Sequence, residues 1–174
     1  TGATGAIAPH IGAVAALELE RSRRPEDVLP GFMALNTPSG IPGSGYLPAL
    51  YSPFSIQPPA SAGVGLTSLA HPASAGGSAR FALRWKDLNE VDAALRTGAP
   101  LGKEGSDAAG FYGQAKAMMD SSDVNALFTY TADEAARYGS TPFGNSCNIA
   151  RKVLAGRKGT RFIQLTLGGW DHHS

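Results

Sequence analysis

Thr160-Arg161-Phe162-Ile163-Gln164-Leu165-Thr166-Leu167 runs straight into Gly168-Gly169-Trp170-Asp171-His172-His173. The first eight residues carry Phe162, Ile163, Leu165 and Leu167 with no glycine or proline among them, the pattern of a strand buried on both faces of an α/β sheet. Just upstream, Thr141-Pro142 supplies an N-cap and then proline at the first helical position. From there Phe143, Cys147, Ala150, Val153 and Leu154 form an apolar stripe that stops at Gly156. A helix followed closely by such a strand is the signature of an α/β architecture. In open sheets of this class ligands bind just beyond the carboxyl ends of the strands. Here that point holds two glycines, which let the chain turn sharply and approach a ligand closely, and then a carboxylate and two imidazoles.

Asp171, His172 and His173 are the residue types that bind Zn²⁺ or a similar divalent ion. If the backbone stays extended past Trp170, Asp171 and His173 share a face while His172 points away. The metal would then be held by Asp171 and His173, with His172 beside the site or in solvent. The competing reading is a solvated chain end, because two ligands fall short of what a metal site needs. By the same stripe, Cys147 points into a core and reads as a structural thiol, since no electropositive neighbour is evident to make it a nucleophile.

Working outward, His10–Ser22 has Ile11, Val14 and Leu17 at helical spacing and stops at Pro25. Leu29–Asn36 reads as a short strand. Residues 37–77 form a loop-rich stretch of Gly, Pro and Ser with isolated aromatics at Tyr46, Tyr51 and Phe54, which argue for packing against a surface rather than for disorder. Residues 85–157 are helix-rich. Trp85–Arg96 places Leu88, Val91 and Leu95 on one face, and Ser106–Asp120 places Phe111, Ala115, Met118 and Met119 on another. Thr131-Ala132-Asp133-Glu134 matches a capping box for a short helix ending near Gly139. The core strand and the site then occupy residues 160–173. The expectation is one partial α/β domain over residues 1–174.

The net charge of +1 and the lack of a basic patch leave nothing to track nucleic acid. No run is long enough to span a membrane. With a single cysteine, Cys147, no internal disulfide can form. The chain carries no signal peptide and no initiator Met, and so reads as trimmed at its start. Its oligomeric state is not legible.

Two motifs imitate other chemistries. Thr1-Gly2-Ala3-Thr4-Gly5-Ala6-Ile7-Ala8 resembles the glycine-rich turn of short-chain dehydrogenases, and Tyr112-Gly113-Gln114-Ala115-Lys116 supplies a Tyr-x-x-x-Lys. A third glycine is missing, however, no strand precedes Thr1, and no acidic residue follows to hold a ribose, so an NAD(P)-dependent oxidoreductase is the weakest reading and no cofactor-binding residues are assigned. Gly43-Ser44-Gly45 and Gly144-Asn145-Ser146 fall short of a nucleophile elbow and read as turns.

Several stretches in order resemble one family. They are Asp27-Val28-Leu29-Pro30-Gly31-Phe32, Gly43-Ser44-Gly45-Tyr46-Leu47-Pro48-Ala49 with Tyr51, Tyr138-Gly139, Phe143-Gly144, and Cys147 with Ala150-Arg151-Lys152. Arg161-Phe162-Ile163-Gln164 leading to Gly169-Trp170-Asp171-His172-His173 completes the series. Their order and spacing are similar to the bacterial domain-of-unknown-function family numbered fifteen-oh-one, grouped with the alkaline phosphatase and sulfatase superfamily and often exported by a twin-arginine signal. The resemblance implies a portion of a three-layer α/β/α fold with the Pro/Gly-rich loop draped on it. It also implies an exported or periplasmic location, and an Asp-x-His metal pair at Asp171 and His173, with His172 in the intervening place. The activity it implies is a metal-dependent hydrolase acting on small phosphate or sulfate esters. Its catalytic nucleophile would lie outside this chain, and the fragment alone would be inactive and metal-free or only loosely occupied. The alternative is a non-catalytic exported metal-binding or structural protein with the same fold.

Overall fold

The computed structural model describes residues 8–37, 41–66, 69–97 and 102–168. In chain order the elements are α1 (Ile11–Leu19), β1 (Phe32–Leu35), β2 (Phe54–Ile56), α2 (Gly77–Thr97), α3 (Gly102–Asp120), α4 (Ser122–Leu127), α5 (Ala132–Tyr138), α6 (Pro142–Gly156) and β3 (Phe162–Leu165). They fall into two compact units, residues 1–66 with 123–174, and residues 67–122.

The first unit is mixed α/β and is built on a small parallel sheet of order β2-β1-β3. β1 pairs Met33 with Phe54 and Leu35 with Ile56 on one side, and Phe32 to Leu35 with Phe162 to Leu165 on the other. All four β1 residues are buried on both faces. That corrects the reading of Thr160–Leu167. The strand there is Phe162–Leu165 and is half-buried, because among the described residues β3 has a neighbour on one side only. β2 lies inside the stretch read as loop. With three residues flanked by Pro53 and Pro58, it is too short to show a period, and its prolines suit an edge strand.

Phe32 and Phe162 share the face that α1 covers, with rings 5.4 Å apart and edge to face. Ala13, Ala16 and Phe32 form the core there, with Leu47, Tyr51 and Phe162 packed against it. The helix comes so close that a Cβ on Gly12 would meet the Phe32 ring at 2.7 Å. Small residues therefore face the sheet, and Ile11 from the expected apolar stripe is 65 % exposed.

The helix starts follow the sequence closely. Thr131 and Glu134 complete a capping box on α5, and Gly139 takes a φ of 74° at its end. The Thr141 hydroxyl accepts from the Gly144 N–H at 3.0 Å, with Pro142 opening α6. The buried face of α6 needs correcting. Asn145, Ser146, Asn148, Ile149, Ala150 and Val153 are buried, whereas Cys147 is half-buried and Leu154 is exposed. Polar residues can occupy this face where the backbone satisfies them, as Ser146 does by donating to the Pro142 carbonyl at 2.7 Å. The left-handed residue that ends the helix is Arg157, with φ 49°, rather than Gly156. A Cβ on Gly156 would sit 2.7 Å from the Leu127 side chain, so it is close packing that calls for glycine there.

The Asp27 side chain is fully buried and ties the approach to β1 to the start of β3. It accepts from the Arg24 guanidinium at 2.8 Å, the Arg24 N–H at 3.1 Å and the Arg161 guanidinium at 3.1 Å. Burial alone would raise its pKa, but the Arg24 hydrogen bonds and the charges of Arg24 and Arg161 together hold it below the ordinary carboxylate value. A lowered folded-state pKa means a stabilisation present above the unfolded value and lost as pH falls through the folded one. At neutral pH, Asp27→Asn should cost about 1.5 kcal/mol, the low end for a hydrogen bond to a charged group because Arg24 stays half-exposed. In urea titrations that difference from wild type should shrink steadily below about pH 4. A difference independent of pH would contradict the assignment.

The second unit is built on α2 and α3. His71 Nε2 lies 2.9 Å from the Asp120 carboxylate, and its ring tilts against Phe81 at 4.8 Å. The long helices expected here are present, but the inward side of α2 carries Phe81, Trp85 and Asn89. Leu88 and Val91 are exposed, because the two larger aromatic rings take the inner side; the Leu95 side chain lies outside the described residues.

Candidate functional site at the carboxyl edge of the sheet

The direction of each helix follows from its contacts. Along α1, Gly12 lies against Phe32, while Ala16 lies 3.0 Å from where a Cβ of Gly31 would be. The helix therefore runs antiparallel to β1, with its N-terminus towards the carboxyl edge of the strands. α6 packs against β3 and joins it through residues 157–161, so it too runs antiparallel and starts towards the same edge. Both helices direct the positive end of their dipole that way, an arrangement that favours anions.

Side-chain amides join the strand exits. Asn36, in the left-handed region with φ 52°, donates from Nδ2 to the Thr166 carbonyl at 2.8 Å, locking the end of β1 to the end of β3. Gln57 beyond β2 donates to the Thr37 carbonyl at 3.3 Å. Gln164, opposite Ala34 near the exit of β3, has a buried Oε1 with no hydrogen-bond partner. At the start of α1, His10 caps the helix by accepting from the Gly12 N–H at 3.0 Å through Nδ1. The neutral ring therefore carries its proton on Nε2. The ring stacks on Phe32 at 4.9 Å and meets Phe162 edge-on at 6.2 Å. The His10 N–H donates to Gly43, fixing the Gly-Ser-Gly loop to the same helix start.

The residues read from sequence divide as follows. Asp171, His172 and His173 lie outside the described residues, as does the glycine-rich stretch 1–7. Gly168, which leads to the former, is exposed, with nothing within 4 Å of where its Cβ would be. Tyr112 on α3 is 64 % exposed, and Lys116 pairs with Asp120. Ser44 is buried and its hydroxyl accepts from the Ser52 hydroxyl at 2.9 Å, as a structural turn would have it. Among the described residues, no three His, Cys, Asp or Glu side chains are grouped to hold a metal. An open pocket of about 430 Å³ lined by Leu17, Glu18, Glu20, Arg21 and Tyr51 lies at the other end of α1, away from the strand exits.

Sequence reasoning missed Asn36, Gln57 and His10. The available signals were weak: an asparagine after a strand, which tolerates positive φ, and a histidine directly before an apolar helix. A family model described as a protein of unknown function, DUF1501, matches residues 1–174. No curated protein and no solved structure matches the chain.

Proposed function

Since the chain belongs to the DUF1501 family of proteins of unknown function, we propose its activity from its chemistry: the intact protein is an exported, metal-dependent hydrolase of small phosphate or sulfate esters, on an alkaline-phosphatase-like three-layer fold. The observation that carries this reading is that β3 exits on the same edge as β1 and β2. From that exit the sequence passes through Gly168 and Gly169 into Asp171 and His173.

A carboxylate and an imidazole are a donor set suited to zinc or a similar divalent ion, and if the backbone stays extended past Trp170, His172 would alternate away from Asp171 and His173 and take no part in the coordination. Such an ion supplies charge stabilisation and polarisation of the ester. The chain's own part is binding and positioning. The N-termini of α1 and α6 favour the negative charge of a phosphate or sulfate group. Asn36 and Gln57, committed to main-chain carbonyls, hold the strand exits in place.

The test is metal analysis of the intact protein, with a panel of phosphate and sulfate esters. Asp171→Ala and His173→Ala should each lower metal content and esterase activity by about tenfold or more, and His172→Ala by less. Because imidazole must be neutral to ligate, metal binding should weaken below about pH 6.5. Full metal occupancy in the Asp171→Ala, His173→Ala double variant would refute the site. Metal without esterase activity would leave the non-catalytic metal-binding protein as the better account.

A further inference from the structure

We propose that the intact protein associates as a two-fold dimer through the outer face of α2, with the two helices antiparallel across the axis. Leu83 and Val91 are 64 and 70 % exposed and, eight residues apart, share one side of α2, with Leu88, 43 % exposed, at its margin. Phe81 and Trp85 occupy the inward side, away from Leu83. Among the described residues of 67–122, Leu69 and Met118 are the apolar side chains that reach full burial. A unit with so thin a core gains by covering its exposed apolar side chains, since helix stability comes chiefly from packing.

The order of charges identifies the occupant. On this side of α2 Arg80 and Arg84 come first along the helix, and Asp87 and Glu90 follow. That order opposes the helix dipole, which favours acids first and bases last, so the dipole does not account for it. It does complement a second α2 laid antiparallel. The Arg80 and Arg84 block of each copy then faces the Asp87 and Glu90 block of the other, and Leu83 approaches Val91. A parallel pairing would set like charges together. The two-fold axis makes every contact twice, as self-complementary interfaces do. Lys86 and Glu90 also pair within the helix at 3.6 Å, but both are mostly exposed, and such a pair exchanges partners at little cost.

Sedimentation equilibrium of the intact protein over a concentration series tests the proposal, with circular dichroism as a check on folding. Wild type should dimerise, and Leu83→Glu with Val91→Glu should weaken the dimer by about tenfold or more, equivalent to 1.4 kcal/mol. Arg80→Glu with Arg84→Glu should weaken it too. Adding Asp87→Arg and Glu90→Arg to that variant should restore it, because both blocks have then exchanged sign. The charge series alters exposed side chains only, so it stays informative if the apolar variants fold poorly. A wild type that remains monomeric at about 100 μM would overturn the proposal and leave the face to another segment or another protein. A dimer indifferent to the apolar substitutions, or a four-residue charge exchange that fails to restore it, would overturn it as well.

Discussion

Gly144→Ala is expected to lower the unfolding free energy by about 3 kcal/mol or more, the upper end for overpacking and a large part of the 5–15 kcal/mol typical of a whole domain. Gly144 sits in the first turn of α6, where a Cβ would overlap the carbonyl oxygens of Gly139 and Tyr138. Those are backbone atoms and cannot rotate aside. Nor can α6 shift away freely, because the Gly144 N–H is held by the Thr141 hydroxyl that caps the helix. The control is Gly113→Ala in α3, where nothing lies within 4 Å of the new methyl group. There alanine should stabilise by up to about 1 kcal/mol through its better helix propensity. Urea unfolding of the two variants decides. Similar, small effects at both positions would mean that the α5–α6 corner is looser than described.

Ile149→Ala is the second large effect, at about 2–5 kcal/mol, the range for truncating a buried aliphatic side chain. Ile149 is fully buried on α6, whereas Leu154, on the stripe the sequence suggests, is 49 % exposed. Leu154→Ala should therefore cost less than about 1 kcal/mol, as exposed substitutions generally do. The reverse ranking in thermal unfolding would restore the stripe of Phe143, Cys147 and Leu154 as the core face.

The contrast between these residues shows what was legible. Local signals were read correctly where the chemistry is local: the Thr131–Glu134 box, the Thr141-Pro142 start and the two strands around Phe32 and Phe162 each depend on neighbours a few residues away. The buried face of α6 was misread because Asn145, Ser146 and Asn148 look like surface residues, and nothing local announces that they turn inward. The strand at Phe54–Ile56 is too short to show a period. At the candidate site, Asp171 and His173 were legible as residue types after a strand. Asn36 was not, because its partner carbonyl at Thr166 lies 130 residues away and no pattern within the sequence joins the two.

That separation has a consequence for synthesis. Among the described residues β1 is the central strand, yet one of its two neighbours is specified about 130 residues further along the sequence. Its full set of pairings cannot form until β3 has been made. At a translation rate of about 5–20 residues per second, that leaves roughly 6–26 s in which an apolar Phe-Met-Ala-Leu edge is without its second partner. Parallel pairings of such long range are also intrinsically slow to close. The nascent chain is therefore most open to aggregation, and most dependent on chaperones, over the interval between the emergence of β1 and that of β3.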